Sequence, residues 1–157
     1  VRLTGEVCDA ESEQELILRG KPASWDNAIR IARRKTGALF AFAAGACGGS
    51  DATLVSTLTE SGYAIGTAYQ LADDILDATG TEQMSGKTMG SDEARGKTTA
   101  ATLDASLKTQ AVEFVDHLCI EAERALASWP AVLGGWQSFM EDDMRPALKK
   151  NLAFAAP

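Results

Sequence analysis

The sequence has no excess of basic residues. Against 22 Asp and Glu stand 15 Lys and Arg, leaving a formal net charge of -7. A general nucleic-acid or anionic-membrane binder is normally basic, so both partner classes are set aside. An anionic substrate remains compatible where metal ions or local cations offset the repulsion. There is no CxxC pair: Cys8, Cys47 and Cys119 are few, odd in number and far apart. That excludes a disulfide framework or a zinc site and predicts small, buried, reduced thiols in a cytoplasmic protein. No apolar run approaches the roughly 20 residues that cross a bilayer, and no signal peptide is visible. The single histidine, His117, has no serine, cysteine or aspartate constellation pointing to it. Alternating strand patterns are nearly absent. The chain starts at Val1 without methionine and moves straight into helix-like sequence, which suggests a fragment or a processed product.

What is present is helical periodicity. Leu107, Ala111, Val115, Leu118, Ala122 and Leu126 recur at spacings of three and four, forming one apolar stripe. Trp25, Ile29, Ala32, Thr36, Leu39 and Ala43 make a second stripe, with Ser24 as its N-cap. Residues 53 to 78 read as a third helix with Leu58, Ile65, Ala68 and Ala72 inward. Gly62 and Gly66 inside it would each cost about 1 kcal/mol relative to alanine, so they are read as sites of close helix packing. Trp136 to Phe154 reads as a last helix, interrupted by Pro146. The expectation is a single all-α unit over residues 1–157.

The strongest chemical signal lies in that third helix. Asp73 and Asp77 share a face, with Asp74 about 100° round. Carboxylate oxygens are hard ligands suited to magnesium, which keeps several waters and takes substrate phosphates as further ligands. By spacing alone, a solvated acidic helix end stays open. The apolar neighbours Leu71, Ala72, Ile75 and Leu76 argue against it, because they place the carboxylates on a buried helix. A glycine- and lysine-containing loop follows, with Gly86-Lys87, Gly90, Asp92 and Gly96-Lys97-Thr98-Thr99. Two lysines there could reach a diphosphate held by metals. A P-loop fails on spacing and on context, since no strand precedes these residues. Lys35-Thr36 sits in a helix with an otherwise apolar inner face, where a lone lysine is ordinarily snorkelling or at the surface. Arg33 and Arg34 read as solvated charge, and Glu141-Asp142-Asp143 as solvated helix surface.

Tyr69-Gln70-Leu71-Ala72-Asp73-Asp74-Ile75-Leu76-Asp77 resembles the second aspartate-rich motif of trans-prenyl diphosphate synthases. Lys35-Thr36-Gly37-Ala38-Leu39-Phe40 is similar to that family's lysine–threonine helix. Gly5-Glu6-Val7-Cys8-Asp9 resembles its GQxxD helix, with glutamate in place of the commoner glutamine. The lysine loop follows in the family's order, although Ala100-Ala101 stands where a proline is usual. Beyond Thr102 the likeness rests on helical character alone.

The resemblance implies an isoprenoid-synthase-type helical bundle, of which this is the C-terminal portion. It implies a magnesium-dependent prenyltransferase that condenses an allylic diphosphate with isopentenyl diphosphate in isoprenoid biosynthesis. Asp73 and Asp77 would be metal ligands with Asp74 in support. Lys35, Lys87 and Lys97 would contact the diphosphate, and Thr36 and Gln70 would turn oxygen dipoles toward the cation. The first aspartate motif and the N-terminal isopentenyl diphosphate residues are absent from these 157 residues. The expectation is therefore of a chain inactive alone, completed by a missing N-terminal half or a partner chain in a homo- or hetero-oligomer. The alternative from another class is a non-catalytic, synthase-like regulatory or partner subunit. A terpene cyclase is less favoured, because the loop signature is that of the chain-elongating enzymes.

Overall fold

The computed structural model describes residues 2–22, 24–79, 99 and 105–152. They form helices α1 (Arg2–Ser12), α2 (Trp25–Ala32), α3 (Ala38–Ala46), α4 (Ala52–Thr79), α5 (Ala105–Ala125), α6 (Pro130–Phe139) and α7 (Arg145–Leu152). Among the described residues there is no strand. Wider π-helical turns continue α1 (Glu13–Ile17), join α2 to α3 (Arg33–Gly37) and join α6 to α7 (Met140–Met144). The all-α expectation holds.

Ser24 starts α2 as expected: it is extended, at φ -129 and ψ 148, and its hydroxyl accepts the Asn27 amide at 3.3 Å. Asp51 does the same for α4, its carboxylate accepting the Thr53 and Leu54 amides at 2.9 and 3.0 Å. Between α3 and α4, Gly49 adopts φ 61, a left-handed conformation that costs glycine nothing.

Helix α4 is the axis of the molecule, with α3, α5, α7 and the Arg33–Gly37 turn packed around it. Its inward residues Leu58, Ile65, Ala68, Leu71, Ala72 and Ile75 form the centre of the main core. Ala111, Val115 and Ala122 of α5, and Leu126 just past its end, join them as the stripe predicts, while Leu118 is half-buried and the Leu107 side chain lies outside the described residues. The Ser61 hydroxyl donates to the Ala122 carbonyl at 3.2 Å, tying α4 to the last turn of α5. Gly62 and Gly66 are where α3 and the turn before it approach closely. A Cβ on Gly62 would stand 2.6 Å from the Phe40 carbonyl oxygen, and one on Gly66 would stand 2.8 Å from the Gly37 Cα.

Three expectations need correction. The stripe through Trp25, Ile29, Ala32, Thr36, Leu39 and Ala43 holds only as far as Ala32. Beyond it the residues packed against the main core are Phe40 and Ala44, each one later than counted; Gly37, Ala38, Ala41 and Gly45 are buried, and Leu39 is 58% exposed. The Arg33–Gly37 turn is the cause: a π turn carries one surplus residue, so a count in threes and fours falls one short past it. Second, Pro146 does not break the last helical segment. It lies at the start of α7, after the Met140–Met144 turn, where no ordinary i–4 bond is required of it. Phe154 lies outside the described residues. Third, Cys8 and Cys47 are exposed, and only Cys119 is buried. Burial pushes its thiol up to about 11, which leaves it unreactive at neutral pH.

Candidate functional site

The aspartates sit near the C-terminal end of α4, and their environments differ. Asp74 is 5% exposed, whereas Asp73 and Asp77 are half-buried. Gln70, one turn earlier, donates its side-chain amide to Asp74 at 2.7 Å. The same amide's oxygen accepts the Thr36 hydroxyl. A run of hydrogen bonds thus links the Arg33–Gly37 turn to the aspartate helix through Thr36, Gln70 and Asp74. Gln70 has its oxygen engaged by Thr36 and its NH2 engaged by Asp74.

Lys35 points to another pair of acceptors. Its ammonium lies 2.5 Å from a Glu11 carboxylate oxygen and 3.3 Å from the Gln14 amide oxygen. Consecutive Lys35 and Thr36 thus serve different neighbours, α1 with its π continuation on one side and α4 on the other. Lys87 and Lys97 lie outside the described residues.

The arginines beside Lys35 are not mere solvated charge. Arg33 pairs with Glu60 at 2.7 Å and lies over the Tyr63 ring, 4.1 Å from its centroid. Arg34 reaches Glu13 at 2.6 Å, and Arg30 pairs with the other oxygen of the same carboxylate. The Arg30 hydrogen bond, reinforced by Arg34, holds the Glu13 carboxyl below its usual range despite its partial burial. The Tyr63 hydroxyl donates to Glu6 at 2.6 Å, which fixes the Gly5–Asp9 segment against α4. Burial first, and then this bond to a carboxylate, push Tyr63 up to about 12. Residue type and order in the sequence single out the Lys-Thr pair and the aspartates. Glu11, Glu13, Gln14 and Tyr63 carry no such signal. Only the packing of α1 against the Arg33–Gly37 turn and α3 reveals them.

The remaining candidates are as the sequence implies. Glu141, Asp142 and Asp143 are exposed, and His117 is an exposed ring lying 6.5 Å from Phe114. Among the described residues, no three His, Cys, Asp or Glu form a group able to hold a metal ion. Asp73 and Asp77 nevertheless suit magnesium: both offer hard oxygens, stand one turn apart on a helix and are partly open. Magnesium takes one or two carboxylates and fills its octahedron with water and phosphate oxygens. An apolar cavity of about 470 Å³ between α3, α4 and α6, lined by Phe40, Leu58, Trp136 and Phe139 among others, includes none of these polar candidates. No described helix is long and apolar enough to cross a membrane.

Comparison with known proteins supports the motif reading. The sequence model of the family described as Polyprenyl synthetase matches residues 2–127. Over 104 residues the chain is 36% identical to farnesyl diphosphate synthase of Geobacillus stearothermophilus, covering 64% of this chain and 33% of that protein. It is 37% identical over 111 residues to heptaprenyl diphosphate synthase component 2 of Bacillus subtilis, covering 69% and 32%. The crystal structure of heptaprenyl diphosphate synthase from Staphylococcus aureus superposes with a TM-score of 0.61 at 21% identity, over 96% of this chain and 57% of that one. The fold is therefore the helical fold of a prenyl diphosphate synthase. The matched segment spans about a third of the length of the sequence relatives.

Proposed function

Because the chain belongs to the polyprenyl synthetase family, we propose that it is the second-aspartate-motif part of a magnesium-dependent prenyltransferase of the cytoplasm. The substrates would be an allylic diphosphate and isopentenyl diphosphate, and the product a prenyl chain longer by one isoprene unit. The observation that carries this reading is the hydrogen-bonded run from Thr36 through Gln70 to Asp74. It holds the central, buried aspartate in position, and Asp73 and Asp77 are the more exposed carboxylates of the row.

Asp73 and Asp77 would hold magnesium, directly or through water. Bound there, magnesium would neutralise charge developing on the departing diphosphate. Lys35, Lys87 and Lys97 would donate to diphosphate oxygens, and such charge-assisted contacts gain most where charge grows in the transition state. Gln70 and Thr36 would keep the aspartate helix in register with the lysine turn. The counterpart motif would come from an N-terminal half or from a second chain, in a homo- or hetero-oligomer. A partner-subunit role is the second reading, favoured by the likeness to a protein named as component 2 of a synthase.

Calorimetry with inorganic diphosphate and magnesium tests the proposal. Binding should require magnesium and weaken strongly in Asp73→Ala and Asp77→Ala, and Lys97→Ala should cost about 1.5–3 kcal/mol. Binding indifferent to chelator and to both aspartate changes would return the motif to a solvated surface.

A further inference from the structure

We propose that Glu11 and Gln14 are positioning residues, which together hold the Lys35 ammonium at a fixed point with one N–H left for a diphosphate oxygen. The inference rests on the diphosphate reading above and adds two residues to it. Lysine alone makes an imprecise contact, because its flexible stem carries about 2 kcal/mol of rotamer entropy. Here that freedom is removed in advance. An ammonium has three donors and no acceptor. One is directed to Glu11 at 2.5 Å and one to Gln14 at 3.3 Å, and the third meets no acceptor among the described residues.

The bracket is itself held. Gln14 is 3% exposed, so solvent does not compete for its amide. It belongs to the Glu13–Ile17 turn, where Glu13 grips Arg30 and Arg34 on the approach to Lys35. On the other side Thr36 is bonded to Gln70. The lysine is therefore fixed through its backbone on both flanks as well as through its head. Its side chain is 31% exposed and that of Glu11 43%, so an incoming anion can still reach the pair. Glu11 supplies the carboxylate, while Asp9 of the Gly5–Asp9 segment is exposed.

The test is a double-mutant cycle on the chain, with Glu11→Gln, Lys35→Met and the double variant, read by calorimetry with inorganic diphosphate and magnesium. Glu11→Gln is near-isosteric and partly exposed, and thermal melting checks that each variant is folded. Losing the bracket should weaken binding about 3- to 10-fold, the ordering cost of one rotamer-rich side chain. The same change in the Lys35→Met background should do nothing. A second readout is the nitrogen-15 signal of the Lys35 ammonium, whose hydrogens should exchange slowly in the unsubstituted chain and faster in Glu11→Gln. Tighter binding by Glu11→Gln would mark Glu11 as a competitor and overturn the proposal. An equal loss in both backgrounds would overturn it as a purely structural effect. If Lys35→Met weakens binding and Glu11→Gln does not, the bracket alone fails. If Lys35→Met is without effect, or the unsubstituted chain does not bind, the diphosphate role of Lys35 fails and the bracket's role with it. A slow ammonium signal would then show a merely structural contact.

Discussion

Asp74 shows how one carboxylate in a row of three comes to differ from its neighbours. The Gln70 amide helps to offset its burial, and a buried acceptor that loses a donor costs about 1–3 kcal/mol. Gln70→Leu should therefore lower stability by about that amount, measured by denaturant unfolding, and more than the exposed substitution Asp143→Asn. Glu13 gives a pH signature. Its carboxyl lies below its ordinary value near 4.5 when folded. The stabilisation it brings is thus present above pH 4.5 and lost as pH falls through the folded value. Melting temperature should drop less steeply below pH 4.5 in Glu13→Gln than in the unsubstituted chain. Equal slopes would show that the arginine pairs are of no consequence there. At this scale the sequence exposes what residue type and order can carry, namely the aspartates, Gln70, Lys35 and Thr36. It conceals partners brought from far along the chain, as Glu6 is to Tyr63.

At the scale of elements, α4 inverts the usual rule for glycine. On propensity alone, alanine in place of Gly62 or Gly66 would stabilise the helix by about 1 kcal/mol. In the folded protein the added methyl would meet backbone atoms of Gly37, Phe40 or Ala41 at 2.6–2.8 Å, and backbone cannot step aside. Gly66→Ala should destabilise by about 1–3 kcal/mol. Gly134, in α6, has nothing within 4 Å of an added Cβ, so Gly134→Ala should stabilise by up to about 1 kcal/mol. Chemical denaturation of the two variants should give opposite signs. The close packing at Gly62 and Gly66 is legible because glycine has no local reason to sit there. The π turns are not, since nothing in Arg33-Arg34-Lys35-Thr36-Gly37 distinguishes five residues per hydrogen-bonded ring from four.

For the whole molecule, the decisive fact is length: the matched segment covers about a third of its sequence relatives. With only one aspartate motif present, the isolated chain should show no chain elongation from allylic and isopentenyl diphosphates with magnesium. Turnover above a no-protein control, from material of verified mass, would contradict that. Leu39 and Phe42 are 58% and 67% exposed and, with Leu3, line a shallow surface depression. Large apolar side chains left together in water favour association. Light scattering should report self-association of the isolated chain, and Phe42→Glu should shift it toward monomer. A monomer in both cases would locate the contact surface elsewhere.

The Arg33–Gly37 turn also bears on which changes of length the chain tolerates. A π turn amounts to a regular helix with a codon inserted, so losing one residue there restores ordinary winding and leaves both flanks facing as before. A one-residue deletion at Arg33 or Arg34 should therefore keep α3 seated on α4, at the expense of an arginine pair. A deletion at Ala43, inside regular helix, would turn everything beyond it by about 100° and carry Gly45 away from Thr59, whose side chain leaves no room there for a Cβ. One-residue deletions that drift through such a gene would survive preferentially at residues 33 and 34, beside the lysine that the same turn aims.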